Sequence, residues 1–164
     1  MKPDRVVVDT SLALKWVVQE DDSDIANALL ATWIAQGVIV LALSLMAYEI
    51  ANAVHQRVRR GDFTPDDAEQ AFTQLYSTGI NFRWARSASV AAALSARALE
   101  IARDYTLGVA YDTQFLALAE HEDCEYWTAD RRFFETVRRD HPRVQWLGAY
   151  QPPQVQPAGP TPTP

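Results

Sequence analysis

Short runs of β-branched and aromatic residues alternate with longer helix-forming segments along the chain. The strand-like runs cover residues 5–8, 38–41, 81–84, 125–128 and 143–147. Helical crossovers between strands make the strands parallel and place the helices on the faces of the sheet. The alternation therefore predicts an α/β fold with a mostly parallel central sheet, flanked by helices on both faces.

Start and stop signals mark the helical segments. Thr64 precedes Pro65 and two aspartates, and this cap, first-turn proline and acidic first turn predict a helix that ends near Gly79. Gly37 and Gly61 follow two other helical segments and are expected to end them. The other predicted helices cover residues 11–18, 23–36, 44–60, 87–105, 111–122 and 131–138. The expected caps are Thr10 or Ser11 for the first, Ser23 for the second and Ser44 for the third, and Ser87 or Ser89 is expected to open the helix that ends at residue 105.

Chain length and the distribution of proline predict one domain and a tail. The 164 residues, of which 48% are hydrophobic, suffice for a single domain with a full core, which we expect over residues 1–150. Six of the nine prolines lie in residues 151–164. Proline-rich sequence has little to bury, so this tail is predicted to be extended and disordered.

Net charge and cysteine content restrict the partners and the compartment. The formal net charge is −6, so binding of a nucleic acid requires a local basic patch or a metal site. Cys124, the single cysteine, cannot form an internal disulfide, and no Cys/His spacing suggests zinc. The longest apolar stretch, residues 38–48, is too short to span a membrane, and no signal peptide is visible, so we expect a cytoplasmic protein.

One glutamate lies on an apolar helix face without a basic neighbour. The residues three and four positions from Glu49 are Leu45, Met46, Asn52 and Ala53. None of them is cationic, and an acid in the middle of a helix has no capping role. Because an acid that faces a core costs free energy unless something neutralises it, Glu49 is a candidate ligand for a cation.

Three aspartates occupy comparable places. Asp9 ends a run of three valines, Asp130 follows a predicted strand, and Asp112 has mostly apolar neighbours at helical spacing. Ligands of open α/β sheets bind at the carboxyl ends of the strands, where these acids and Glu49 are expected to converge. Carboxylates suit hard divalent cations, which can clamp a phosphodiester during hydrolysis. Taken singly, each aspartate also fits an ordinary capping or helix-entry role.

Four segments resemble the PIN-domain family, and within it the VapC-like toxins of toxin–antitoxin pairs. They are VVVDTSLALKW (residues 6–16), YEIANAV (48–54), YDTQFLALA (111–119) and WTADRRF (127–133). Their order and spacing suit the family across residues 5–147. The combination of the four is far more specific than any one of them.

The resemblance implies a single PIN-like nuclease domain over residues 1–150 and a site that binds Mg²⁺ or Mn²⁺. The acids of that site fall on Asp9, Glu49, Asp112 and Asp130, with Asp9 and Asp112 as the principal metal ligands. The supporting polar positions fall on Ser11, Asn52 and Thr128. Their alternative roles are local: a cap for Ser11, a helix-face residue for Asn52 and a strand residue for Thr128.

The activity that the resemblance implies is hydrolysis of RNA by an endoribonuclease, the toxin of a type II toxin–antitoxin pair. A metal-bound water would attack phosphorus, and no covalent protein nucleophile is expected. The resemblance also implies a homodimer and an antitoxin protein whose extended segment blocks the acidic site. Candidate phosphate contacts, for which an ordinary solvated surface is the alternative, are Arg57, Arg59, Arg60, Arg131 and Arg132.

Two other functions are alternatives to the nuclease. A haloacid-dehalogenase-like phosphotransferase also uses an aspartate at a strand end, but it needs a second aspartate two positions later, where this chain has Ser11. Glycine-rich nucleotide loops are absent from the sequence. The remaining alternative is a non-catalytic PIN-fold module that binds RNA or protein, against which the four intact acids argue.

Overall fold

The computed structural model describes residues 4–83 and 88–152. Its strands are β1 (Arg5–Val8), β2 (Ile39–Leu43), β3 (Asn81–Arg83), β4 (Glu125–Thr128) and β5 (Val144–Trp146). They form one sheet in the order β3-β2-β1-β4-β5, and every pairing in the described part of the chain is parallel. The predicted α/β fold with a parallel central sheet is confirmed.

Helices connect the strands. They are α1 (Thr10–Val17), α2 (Ser23–Gln36), α3 (Leu45–Arg60), α4 (Pro65–Ser77), α5 (Ala88–Asp104), α6 (Tyr111–His121) and α7 (Arg131–Val137), with a final 3₁₀ turn at Leu147–Ala149. The chain moves from β1 to β3 in one direction across the sheet and from β3 to β5 in the other. Because such crossovers are right-handed, α1–α4 cover one face and α5–α7 the other. No described helix is long and apolar enough to cross a membrane.

The centre of the sheet explains the all-apolar first strand. Val6, Val7 and Val8 are fully buried, because β1 lies between β2 and β4 and carries helices on both faces. The connections that leave β1 and β4 run in opposite directions, which opens a crevice at their carboxyl ends. This crevice is where the α/β architecture places a ligand.

The cap of α1 differs from the prediction. Thr10 is the first helical residue, and Asp9 rather than Thr10 or Ser11 is the cap, since its side chain accepts a hydrogen bond from the Leu12 N–H. An aspartate is as good a cap as serine or threonine. The helix-entry role that sequence position allowed for Asp9 is therefore real, and it orients the carboxylate.

Other helix and strand boundaries differ slightly from the predicted ones. Ser23 is the first residue of α2 and not its cap, because Asp22 occupies the capping position in the left-handed conformation at φ 66°. The helix start at Thr64 is confirmed, and Thr64 and Asp67 form a reciprocal capping box. The last strand ends at Trp146, one residue early, because the chain then turns into the 3₁₀ segment.

The end of the described chain is attached to the core. The hydroxyls of Tyr150 and Thr32 lie 2.8 Å apart, and the Tyr150 ring meets Trp127 edge-on at 6.1 Å. The predicted tail lies outside the described residues beyond position 152, as do position 84 of the predicted third strand and position 87 of the predicted fifth helix.

Candidate carboxylate site

Asp9 is the most heavily hydrogen-bonded acid in the crevice. Its side chain is 1% exposed. The Oδ1 atom accepts from the Leu12 N–H at 3.0 Å and the Ser11 hydroxyl at 2.8 Å, and Oδ2 accepts from the hydroxyls of Tyr126 at 2.9 Å and Thr128 at 2.6 Å. Burial raises the pKa of Asp9, and the four hydrogen bonds oppose that rise because they favour the charged form.

The strand register brings β4 side chains to Asp9. The Asp9 N–H donates to the Trp127 carbonyl at 3.4 Å, which aligns the ends of β1 and β4. Side chains alternate along a strand, so Tyr126 and Thr128 share one side of the sheet, and Trp127 lies on the other, where it contacts the Trp33 ring at 5.6 Å. Both side chains on the first side donate to the carboxylate.

Ser11 and Thr128 join the turn after β1 to the turn after β4. Their hydroxyl oxygens lie 3.2 Å apart; Ser11 also accepts from the Ala129 N–H at 3.0 Å, and Thr128 from the Asp130 N–H at 2.9 Å. Asp130 caps α7 by accepting from the Phe133 N–H at 3.0 Å. Asp130 thus has a capping role and also stands at the same sheet edge as the first turn.

Glu49 reaches the same region from α3. It is half-buried, and one of its carboxylate oxygens, Oε2, accepts a hydrogen bond from the Thr10 hydroxyl. Burial raises the pKa of Glu49, the Thr10 hydrogen bond lowers it, and the charge of Asp9 raises it further. A hydrogen bond therefore links Glu49 to the start of α1, and the charge of Asp9 affects the pKa of Glu49.

Asp112 lies in the first turn of α6 without capping it, because the capping position is Ala110. Burial, followed by the like charges of Asp9, Asp130 and Glu49, raises the pKa of Asp112 from an ordinary 3.8 to about 7. The four acids are therefore close enough for the charges of three of them to raise the pKa of the fourth, Asp112. Near neutral pH, Asp112 is in balance between its charged and neutral forms.

The four carboxylates offer the oxygen ligands that a divalent cation prefers. The ion pairs of the described residues all involve other acids, so the four carboxylates have no basic side chain to neutralise them. Hard cations prefer such oxygen ligands. As the side chains stand, however, no three His, Cys, Asp or Glu residues in the described ranges converge closely enough to hold one ion. Coordination therefore requires rotation of the acid side chains.

The structure separates one predicted supporting residue from the network and adds two residues that were not predicted to belong to the site. Asn52 is exposed one turn after Glu49, and no hydrogen bond within the described residues links it to the four acids. Thr10 and Tyr126 bind Glu49 and Asp9 directly. A signal for Tyr126 was present, because it shares a strand face with Thr128.

Comparison with known proteins gives one family. The family model described as PIN domain matches residues 6–139, a range that contains all four acids. A comparison with curated protein sequences gives no match.

Proposed function

The chain belongs to the PIN-domain family, whose members are generally nucleases, and from this membership we propose that it is an endoribonuclease that hydrolyses RNA phosphodiesters with the help of a divalent cation. The observation that carries the proposal is the charge coupling at Asp112, whose pKa burial and three neighbouring acids raise to about 7. Perturbed acids in a crevice are candidates for catalysis, and their mutual repulsion favours cation binding.

Each residue of the site has a part in this proposal. Asp9 and Asp112 would be the principal ligands of Mg²⁺ or Mn²⁺, assisted by Glu49 and Asp130. When bound, the cation would lower the pKa of a water molecule and neutralise charge on the phosphate. The neighbouring hydroxyl groups act on the acids, to which they donate hydrogen bonds.

The hydroxyl groups of Ser11, Thr128 and Thr10 donate hydrogen bonds to the acids. Ser11 and Thr128 donate to the two oxygens of Asp9 and so favour its charged form, while Thr10 holds Glu49 beside the crevice. Since these hydroxyls are engaged with carboxylates, we assign none of them as a nucleophile. Water, activated at the site, is the attacking group.

Two exposed arginines are the proposed contacts for RNA phosphates. Arg131 and Arg132 are exposed and directly follow Asp130, and the Arg131 guanidinium lies 5.0 Å from the centre of the Trp146 ring. Arg57, by contrast, is paired with Glu20. We therefore propose Arg131 and Arg132 as the phosphate contacts, because a protein of net charge −6 needs local positive charge to bind RNA.

Cleavage of RNA tests the proposal. Purified protein with Mn²⁺ or Mg²⁺ should cut a labelled single-stranded RNA, EDTA should abolish the cleavage, and excess metal should restore it, because the carboxylates need a cation to act. The products are resolved on a sequencing gel. RNA binding without cleavage in either metal would favour the non-catalytic PIN-fold module, and cleavage that persists in EDTA would contradict the metal role.

We further propose that the protein is the toxin of a type II toxin–antitoxin pair, works as a homodimer and is blocked by an antitoxin. The support is the resemblance of the four segments to VapC-like toxins. The acidic crevice would attract basic side chains of an extended inhibitory segment. RNA and the antitoxin would then compete for the same crevice.

Expression of the chain alone should slow the growth of a host cell, because uncontrolled RNA hydrolysis removes transcripts. Co-expression of the adjacent gene should restore growth, and Asp9→Asn should be harmless at equal abundance. Growth curves with immunoblots for abundance make the measurement. Normal growth with a wild-type protein whose RNA cleavage has been verified would contradict the toxin role.

A further inference from the structure

Tyr126 brings a phenolic hydroxyl to Asp9 from within the core. The residue is 0% exposed, and its ring packs edge-on against Phe133 at 5.9 Å. A phenylalanine would fill nearly the same space, whereas a buried hydroxyl costs free energy unless it is hydrogen-bonded. The bond from the Tyr126 hydroxyl to Asp9 Oδ2 at 2.9 Å satisfies that hydroxyl. Packing alone therefore does not account for a tyrosine at this position.

The four donors to Asp9 differ in their freedom. The hydroxyls of Ser11 and Thr128 lie 3.2 Å apart and each accepts a backbone N–H, so one of their two protons can point to the other hydroxyl instead of to Asp9. The Leu12 N–H is fixed by α1, and the Tyr126 ring is fixed by the core. One fixed donor therefore holds each carboxylate oxygen, with one rotatable hydroxyl beside it.

We propose that Tyr126 is a positioning residue, which together with the Leu12 N–H fixes the plane of the Asp9 carboxylate for cation binding. The inference rests on the proposed function. Either Ser11 or Thr128 can turn its proton to the other hydroxyl and free a lone pair on one Asp9 oxygen, while the two fixed donors keep the carboxylate in place. Outer partners that orient a metal ligand contribute about 10–100-fold to metal affinity or activity.

Tyr126→Phe removes one hydroxyl and keeps the ring. It should weaken Mn²⁺ binding by about 10–100-fold, measured by calorimetric titration of the metal-free protein, and should lower kcat for RNA cleavage without changing KM. The matched control is Tyr105→Phe, since the Tyr105 hydroxyl also donates to an aspartate, at 2.7 Å to Asp140, just before β5 at the amino edge of the sheet. The control should bind Mn²⁺ like the wild type.

The outcomes separate the inference from the proposed function. Unchanged Mn²⁺ affinity in Tyr126→Phe, with binding lost in Asp9→Asn, overturns the positioning role and leaves the metal site standing. Wild-type Mn²⁺ affinity in Asp9→Asn overturns the site itself. If Tyr126→Phe does not fold by circular dichroism, Phe133→Leu decides, since it removes the ring that packs against Tyr126 and keeps the Tyr126 hydroxyl. Mn²⁺ binding should then weaken, and unchanged Mn²⁺ affinity overturns the inference.

Discussion

Asp9→Asn and Asp112→Asn should each lower metal-dependent RNA cleavage by at least about 100-fold, because loss of an outer partner of a metal ligand already costs about 10–100-fold.

The two variants should differ in stability. An amide at position 9 presents N–H donors where the carboxylate accepts four hydrogen bonds. At Asp112, removal of the charge relieves repulsion from three acids, so this variant should melt higher than the metal-free wild type.

Initial rates on a labelled RNA with Mn²⁺, together with thermal melts, measure both effects. Glu49→Gln and Asp130→Asn should also reduce cleavage sharply. Glu100→Gln is the matched control, since Glu100 is an exposed acid paired with Arg97 at 3.2 Å, and it should retain full activity. Wild-type rates in both Asp9→Asn and Asp112→Asn would show that the acids of this crevice are not the catalytic site.

Local sequence signals predicted most of the fold because they act over a few residues. The strand at Glu125–Thr128 and the helix start capped by Thr64 occur where they were predicted. The cap of α1 was misplaced because Asp9, Thr10 and Ser11 are all good cap residues. Which of three consecutive caps is used depends on where β1 ends, and that is set by pairing with β4.

The internal contacts of the site depend on segments far apart in the chain. Alternation along β4 places Tyr126 and Thr128 on one side, but only the register with β1, 117 residues away for Tyr126, makes Asp9 their partner. The pKa of Asp112 depends in the same way on charges from three other elements. Sequence spacing predicted that the four acids converge at one sheet edge. The described residues bring them close enough for three of them to raise the pKa of Asp112, but as the side chains stand no three of them surround one ion.

Asp112 should contribute less to the stability of the metal-free protein as the pH rises from about 4 to 7. Asp112 has an ordinary pKa of 3.8 in the unfolded chain and a folded pKa of about 7, raised first by burial and then by Asp9, Asp130 and Glu49. Between these values the folded state binds more protons than the unfolded state, so the free energy of unfolding falls as the pH rises. The raised pKa values of Asp9 and Glu49 act in the same direction.

A bound cation should remove this loss at neutral pH, because it replaces the proton as the neutralising charge. At about 100 times its dissociation constant, a ligand that binds only the folded state adds about 2.7 kcal/mol. For a chain of this size, that stabilisation raises the melting temperature by roughly 5–10 °C. The gain should be small at pH 4, where protons occupy the acids and compete with the metal.

Thermal melts at pH 4, 5.5 and 7, with EDTA or with Mn²⁺, test this linkage in the wild type and in Asp112→Asn. The variant without the titrating carboxylate should show a flatter pH dependence in EDTA and a smaller gain with Mn²⁺ at pH 7. Its neutral side chain carries no charge for a cation to offset. An equal gain in both proteins would place the cation elsewhere, and an identical pH dependence of both proteins in EDTA would mean that the other acids do not destabilise the charged form of Asp112.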